Sequence, residues 1–160
     1  MGNPTLYPFH YHTKSDDLLI VHINPIVRSS VPTLAHEINN RVTEISFNSS
    51  LIHELRAINF VQKLIDEGWI KEEYRNRLRS INIHAIRADT VLADLSTATK
   101  FSSDWTFLTM LRDRGRAAAA DWLQSCSHNI GKKSTVDLHQ QYLRKETNQS
   151  VAPEVKKKAS

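Results

Sequence analysis

The first candidates for chemistry are two histidines near the start of the chain, His10 and His12. They are two residues apart, so on an extended segment both side chains would face the same way, as at the start of a metal site. No third ligand matches their spacing. We therefore expect packing roles for both, and we predict neither a metal site nor a cofactor.

A nucleophilic triad is the second possibility to test, and the sequence does not indicate one. The residue types are present but nothing places a serine on a strained turn. The four glycines are far apart, which excludes a P-loop, a GxGxxG loop and a GxSxG nucleophile elbow. We predict no catalytic residue among the triad candidates Ser46, His53, Asp94 and Asp104.

Further polar residues lie in or beside apolar segments. His22 and His84 each interrupt an apolar run, which favours a hydrogen-bonded sheet histidine over a catalytic base. Asp16 and Asp17 are adjacent, so on an extended chain they point apart. The pattern is typical of strand entry and not of a pair of carboxylates that performs acid–base catalysis.

A third group combines arginines with a lone thiol. Arg112, Arg114 and Arg116 fall within a predicted helix, where residues two apart point in different directions. They predict a solvated face with local ion pairing to Asp113, and not a phosphate site. Cys126 is the single cysteine, so a disulfide framework and a four-cysteine zinc site are excluded.

Two apolar segments, at about 18–24 and 81–87, are predicted to be strands, and these strands would position the polar groups. Both alternating faces of the first segment are apolar, which is typical of strands covered on both sides in parallel α/β sheets. Two such strands do not make a stable sheet alone. We therefore expect the sheet to have further strands elsewhere.

The sequence between the two strands has the apolar periodicity of a helix. One apolar stripe is predicted to face the core after a cap at Thr33, and a break is predicted at 47–50. A second stripe then runs to Gly68, a residue suited to ending a helix. The first stripe consists of Leu34, Ile38, Val42 and Ile45, and the second of Leu51, Leu55, Ile58, Val61 and Ile65.

After the second strand we predict a long helix, capped by Ser103 and ending near Ser125. Small residues at Gly115 and 117–120 would let another element approach closely. Ser134 to Leu143 is predicted as a last short helix. The long helix has a predicted inner stripe of Leu108, Leu111, Gly115, Ala118, Ala119 and Trp122, and its other aromatic residues, Trp105 and Phe107, are also assigned to packing.

Composition describes a globular chain with a basic end. The 160 residues are 40% hydrophobic and 24% charged, with a net charge of +4. Residues 144–160 hold five basic and two acidic residues, so most of the excess lies in a lysine-rich, flexible tail. We predict that residues 1–143 form one domain. No signal peptide or membrane span is recognised, and we expect a cytoplasmic protein that does not bind nucleic acid.

The ordered series of short motifs resembles the C-terminal part of bacterial-type patatin-like phospholipases. In that family a catalytic Asp-Gly-Gly is followed by Asn-Pro and an apolar residue, and here the match begins at Gly2, Asn3 and Pro4. The resemblance covers about residues 1–143. It continues through 16–21, 23–25, 41–48, 55–58, 84–86, 105–108, 115–116 and 121–123.

The resemblance implies a three-layer α/β/α domain and a lipid acyl hydrolase with a serine–aspartate dyad, a glycine-rich oxyanion loop and a lipid or membrane surface as substrate. None of the three catalytic parts is in this sequence. Gly2, Asn3 and Pro4 would flank the active site, and the aspartate would lie before Met1. We expect a truncated product, an internal start or half of a split protein, which is inactive alone and cytoplasmic or peripheral to a membrane.

An alternative hypothesis is a non-catalytic binding or assembly module. Uncovered sheet edges would then be completed by a partner chain, either a separately encoded N-terminal half or a second copy of this chain.

Overall fold

The chain folds as a mixed α/β protein, as predicted. The computed structural model describes residues 13–28, 30–75, 80–87 and 101–143, together with positions 2, 3, 5, 6, 8, 9, 78, 89, 92, 95 and 99. The predicted tail, 144–160, and Pro4 lie outside the described residues. In chain order the elements are β1 (Asp17–Val21), α1 (Ala35–Asp66), a helical turn (Glu72–Arg75), β2 (Asn82–Ile86), α2 (Trp105–Cys126), a 3-10 turn (Ser127–Asn129) and a π-helical turn (His139–Leu143).

The two strands form one parallel sheet. Their register pairs Asp17 with Asn82 and Val21 with Ile86. Both strands are slightly shorter than the apolar segments predict. One more ladder bond follows β1, in which His22 donates its N–H to the Ile86 carbonyl at 3.0 Å.

The first face of the sheet, here called the core face, packs against α1. Leu18 and Ile20 project from β1 on this face, while Ile83 projects from β2 and is fully buried. Leu55 of α1 has an exposed fraction of 0% and lies in the same apolar cluster. Burying such side chains contributes about 1.5–3 kcal/mol each, so α1 is held by its apolar contacts with the sheet.

The opposite face is covered by α2 over β2 alone. The indole of Trp122 meets the imidazole of His84 edge to face, with the ring centroids 5.8 Å apart. On β1 of the same face, Leu19 is 44% exposed and Val21 is 61% exposed. The described part of the chain therefore has three layers, but its second helical layer is incomplete over β1.

The outer edge of β2 is closed by the segment that follows α2. The Ile83 carbonyl accepts the Thr135 N–H at 3.1 Å, and the Ile83 N–H donates to Ser134 Oγ at 2.9 Å. These contacts correct the predicted helix from Ser134 to Leu143. Because residues 134 and 135 form hydrogen bonds with the outer edge of β2, they are not helical, and the helical turn begins only at His139.

The outer edge of β1 has no partner strand within the described part of the chain. In a parallel ladder each residue directs both backbone groups to the same side, and the bonds from Asn82 to Asp16 and from His22 to Ile86 show that even-numbered residues of β1 face β2. The N–H and C=O groups of Leu19 and Val21 therefore point away from β2. No strand of the described residues pairs with them.

Helix α1 is continuous, which corrects the predicted break at 47–50. Asn48 is buried within it and donates to the Pro25 carbonyl at 3.1 Å, so a polar residue is stabilised there by a distant contact. The predicted Thr33 cap is also wrong. The Glu37 carboxylate instead accepts the N–H groups of Thr33 and Leu34, which lowers the pKa of Glu37.

The stripe predicted to bury the first half of α1 lies on the solvent side. Core contacts come from a different stripe, Glu44, Asn48, Leu51 and Leu55. The prediction is therefore wrong for the first half of α1. For the second half it is confirmed, since Leu51 and Leu55 are buried and Ile58 packs against the core. The exposed stripe consists of Leu34, Ile38, Val42 and Ile45.

Helix α2 matches its predicted span but not its predicted cap or its whole inner stripe. Asp104, and not Ser103, caps it by accepting the Phe107 N–H at 2.7 Å. Trp105 is 75% exposed and Leu108 is also exposed, whereas both were predicted to pack. The predicted close approach at Gly115 is absent from the described residues, since nothing lies within 4 Å of a Cβ built there.

Gly115→Ala should therefore stabilise the protein. An alanine Cβ has free space at this position, and glycine costs about 1 kcal/mol relative to alanine within a helix. We expect the free energy of unfolding in urea to rise by about 1 kcal/mol. Gly68→Ala is the matched control, because its φ of +70° makes the same change strained. A loss of stability in Gly115→Ala would mean that another element packs against this helix.

Candidate functional site

Polar groups lie close together at the carboxyl ends of the two strands. This is the end of the strands at which open parallel sheets bind ligands. His22 follows β1 and Arg87 follows β2. His22 Nε2 shares a hydrogen bond of 2.6 Å with the Tyr142 hydroxyl, and Arg87 lies over the tyrosine ring at 5.6 Å. Arg87 also pairs with Asp89, whose carboxylate accepts the Ile26 N–H at 3.0 Å.

Burial keeps this pair uncharged at neutral pH. Desolvation lowers the pKa of His22 to about 4, with the nearby Arg87 guanidinium acting in the same direction and Asp89 against it. Burial also raises the pKa of Tyr142 to about 12. Neither group gains or loses a proton near pH 7, so the arrangement does not form a general acid–base pair at that pH.

Asn3 of the predicted active-site-flanking loop reaches the same end of the sheet. Its backbone N–H and its side-chain amide both donate to the Phe47 carbonyl at 3.2 Å, and its amide also donates to Asn48 Oδ1. Asn48 in turn holds the Pro25 carbonyl just after β1. Gly2 lies against the same turn of α1. The structure thus places the described part of this loop beside the carboxyl end of β1.

A mostly apolar cavity of about 150 Å³ lies beyond that strand end. Its lining combines the turn after β1 with side chains of both long helices. The carboxylate of Glu44, which also lines the cavity, forms ion pairs with Arg28 and Arg41. The cavity is lined among others by Ile23, Thr43, Leu92, Phe107 and Leu111.

A second constellation joins Thr135, His84 and Asp17 on the opposite face. His84 Nδ1 lies 3.0 Å from Thr135 Oγ1, and His84 Nε2 lies 2.9 Å from Asp17 Oδ1. This is the order of groups in a nucleophilic triad. Yet the central imidazole of His84 is 1% exposed, whereas Thr135 and Asp17 are only half-buried. The group that would act as the base is therefore not accessible to a substrate.

Asp17 is instead a structural acceptor that joins three segments. Besides His84 it accepts the Gly131 N–H at 2.9 Å and the Asn82 amide at 3.2 Å. The hydrogen bonds from His84 and Gly131 lower the pKa of Asp17. The prediction that His84 is a hydrogen-bonded sheet histidine is confirmed, and so is a role for Asp17 at the start of the strand.

Replacing His84 by glutamine should destabilise the fold. Glutamine can keep one of the two hydrogen bonds but leaves the other half-buried partner, Thr135 or Asp17, without this bond, at a cost of about 2 kcal/mol. Urea denaturation should report this loss. His53→Gln is the control, since His53 is exposed on α1 and should tolerate the change. Equal stabilities for the two variants would contradict the structural role of His84.

The remaining candidates do not assemble into a site. Ser46 and His53 are exposed on α1, and Asp104 is used as the cap of α2. His10, His12 and Asp94 lie outside the described residues. Within the described residues, no group of three His, Cys, Asp or Glu side chains could hold a metal ion.

The arginine-rich turn of α2 is a solvated face, as predicted. Arg112 pairs with Asp113 at 2.8 Å, which lowers the pKa of that carboxyl, and Arg116 lies 3.8 Å from it. All of these side chains are exposed. Cys126 is a free, half-buried thiol.

The sequence analysis missed the partners Tyr142, Arg87 and Asp89. A usable signal was present for two of them, because Arg87 and Asp89 directly follow an apolar strand, where parallel sheets place functional groups. Tyr142 offered no such signal, since it lies 120 residues from His22.

None of the helices within the described ranges is long and apolar enough to cross a membrane. Comparison with protein-family models, curated proteins and solved structures found no match to this chain.

Proposed function

We propose that this chain is the sheet-completing portion of a larger parallel α/β domain of the patatin-like lipid acyl hydrolase type. In this proposal the nucleophilic serine, the oxyanion donors and the aspartate come from outside the 160 residues. The chain supplies the flank of the sheet and the helices that cover it. It acts in the cytoplasm or at a membrane surface, where the family substrate is found.

The open outer edge of β1 carries this proposal. Two backbone N–H groups and two C=O groups on that edge, from Leu19 and Val21, lack a partner strand among the described residues. The side chains of the same two residues are exposed on the face that α2 leaves uncovered. A strand with apolar side chains on both faces is typical of the interior of a parallel sheet, so its natural position is between two strands.

The position of Asn3 supports the hydrolase interpretation. The resemblance makes Gly2, Asn3 and Pro4 the residues after the catalytic aspartate, and Asn3 is bound to α1 beside the turn that follows β1. A strand added to the outer edge of β1 and parallel to it would end at the same side of the sheet. Reactive groups carried by such a strand would then lie close to this loop.

An esterase assay tests whether the reactive groups are absent. The purified 160-residue chain is incubated with a short-chain nitrophenyl ester. We expect no turnover above buffer, because the sequence lacks the elbow and the oxyanion loop, and the imidazole of the Thr135–His84–Asp17 chain is buried. Turnover that a single serine or threonine substitution abolishes would refute the proposal.

A second candidate function is an assembly module unrelated to lipid hydrolysis. The same open edge favours it, since edge strands are templates for pairing with another chain. The nucleotide sequence ahead of the Met1 codon separates the two. An in-frame GxSxG and Asp-Gly-Gly would support the hydrolase portion. A ribosome-binding site without these motifs would support the independent module.

A further inference from the structure

A second uncovered apolar surface runs along α1, away from the β1 edge. We call it the outer stripe. Its residues recur at intervals of three, four or seven, so they lie along one side of the helix. They are exposed or half-buried although they are aliphatic. The outer stripe consists of Leu34, Ile38, Val42, Ile45 and Ile52.

A groove of about 200 Å³ follows the lower part of this stripe. Ile26, Ile45 and Ile52 contribute its apolar lining, and Arg41 and Arg56 also line it. The two arginines are fifteen residues apart, which is about 22 Å along a helix axis. Asn48, Ser49 and His53 complete the lining. The groove is therefore partly apolar, with arginines fifteen residues apart among the residues that line it.

The charge of the groove is positive. Among the described residues, no aspartate or glutamate lines it. Arg41 lines the groove and shares the Glu44 carboxylate with Arg28. The other arginine, Arg56, is exposed and forms no ion pair with the described residues.

We propose that the outer stripe is the docking surface for an amphipathic helix of a partner, with an apolar stripe of its own and carboxylates toward both ends. The surface from Leu34 to Arg56 extends about 33 Å, and only a helix that crosses α1 at a small angle, near 20°, remains in contact over that length. Carboxylates about fifteen residues apart on that helix would meet Arg41 and Arg56. An anionic lipid surface is the competing occupant.

This docking surface is independent of the proposed function, because it depends on α1 and not on the edge of β1. In a layered α/β domain, neighbouring helices on one face of the sheet pack side by side. A helix in this position would therefore be compatible with a larger domain. If no peptide bound, the proposal for the β1 edge would still stand. If the β1 edge proved to be covered, the proposal for the groove would still stand.

The test uses two labelled synthetic peptides of about 22 residues with the same leucine stripe. One carries glutamates beside its stripe and the other carries lysines. Fluorescence anisotropy with the full 160-residue chain should give about tenfold tighter binding of the glutamate peptide. Arg56→Glu should abolish that preference, and Ile45→Asp should weaken binding about tenfold. Arg114→Glu, on the exposed face of α2, is the matched control and should change nothing.

Three outcomes would overturn the proposal. One is equal affinity for the two peptides, and another is no response to Arg56→Glu. The third is binding to vesicles of phosphatidylglycerol and phosphatidylcholine without binding to either peptide, which would assign the outer stripe to a lipid surface. Ile45 and Arg56 are both exposed, so circular dichroism of these variants should match the unmodified chain.

Discussion

The free energy of unfolding should fall by about 3 kcal/mol as the pH is lowered from 7 to 4, with His22 as the main cause. The unfolded chain binds a proton at His22 near the ordinary pKa of 6.5, whereas burial in the folded chain lowers this pKa to about 4. Between these values unfolding takes up a proton, so stability rises with pH across the window. The difference between the two pKa values corresponds to about 3 kcal/mol.

His22→Gln isolates this effect, because glutamine can still bond to the Tyr142 hydroxyl and does not titrate. Urea denaturation at several pH values between 7 and 4.5 should show a steep loss for the unmodified chain and a shallow one for the variant. His53→Gln should follow the unmodified chain. If His22→Gln lost as much stability as the unmodified chain over this window, the buried imidazole would not be the cause.

The sequence predicted the elements of the fold better than their contacts. Runs with apolar side chains on both faces identified β1 and β2, and the parallel pairing followed from that pattern. The error at 47–50 had a different origin. Asparagine and serine favour caps in isolation, but Asn48 is stabilised by the distant Pro25 carbonyl, a contact that local sequence does not encode.

The same limit applies to the candidate site. Spacing predicted that His22 and His84 would be hydrogen-bonded, but it named no partner. Their partners Tyr142 and Asp17 lie 120 and 67 residues away in sequence. Only the pairing of β1 with β2, and the packing of the segment after α2 against the sheet, bring these residues together. Periodicity likewise found the aliphatic stripe in the first half of α1 but not its direction, because that stripe lies outside the face that contacts the sheet.

The purified chain alone should self-associate at micromolar concentration through β1, and Leu19→Pro should abolish this association. An open apolar edge strand without lysine, proline or a bulge pairs readily with another edge. The Leu19 N–H points away from β2, so proline removes an outward donor and leaves the bonds between β1 and β2 intact. Sedimentation velocity over a range of concentrations measures the association.

Ile20→Pro is the matched control, one residue along the strand. The Ile20 N–H faces β2, so this variant should lose a ladder bond and unfold, while Leu19→Pro should keep its circular dichroism spectrum. The comparison of the two variants distinguishes the loss of pairing at the outer edge of β1 from unfolding of the protein. A chain that stays monomeric at all concentrations, or a Leu19→Pro variant that associates as before, would mean that the outer edge of β1 is already covered. No further strand of a larger sheet could then pair with β1, and the proposed function would be refuted.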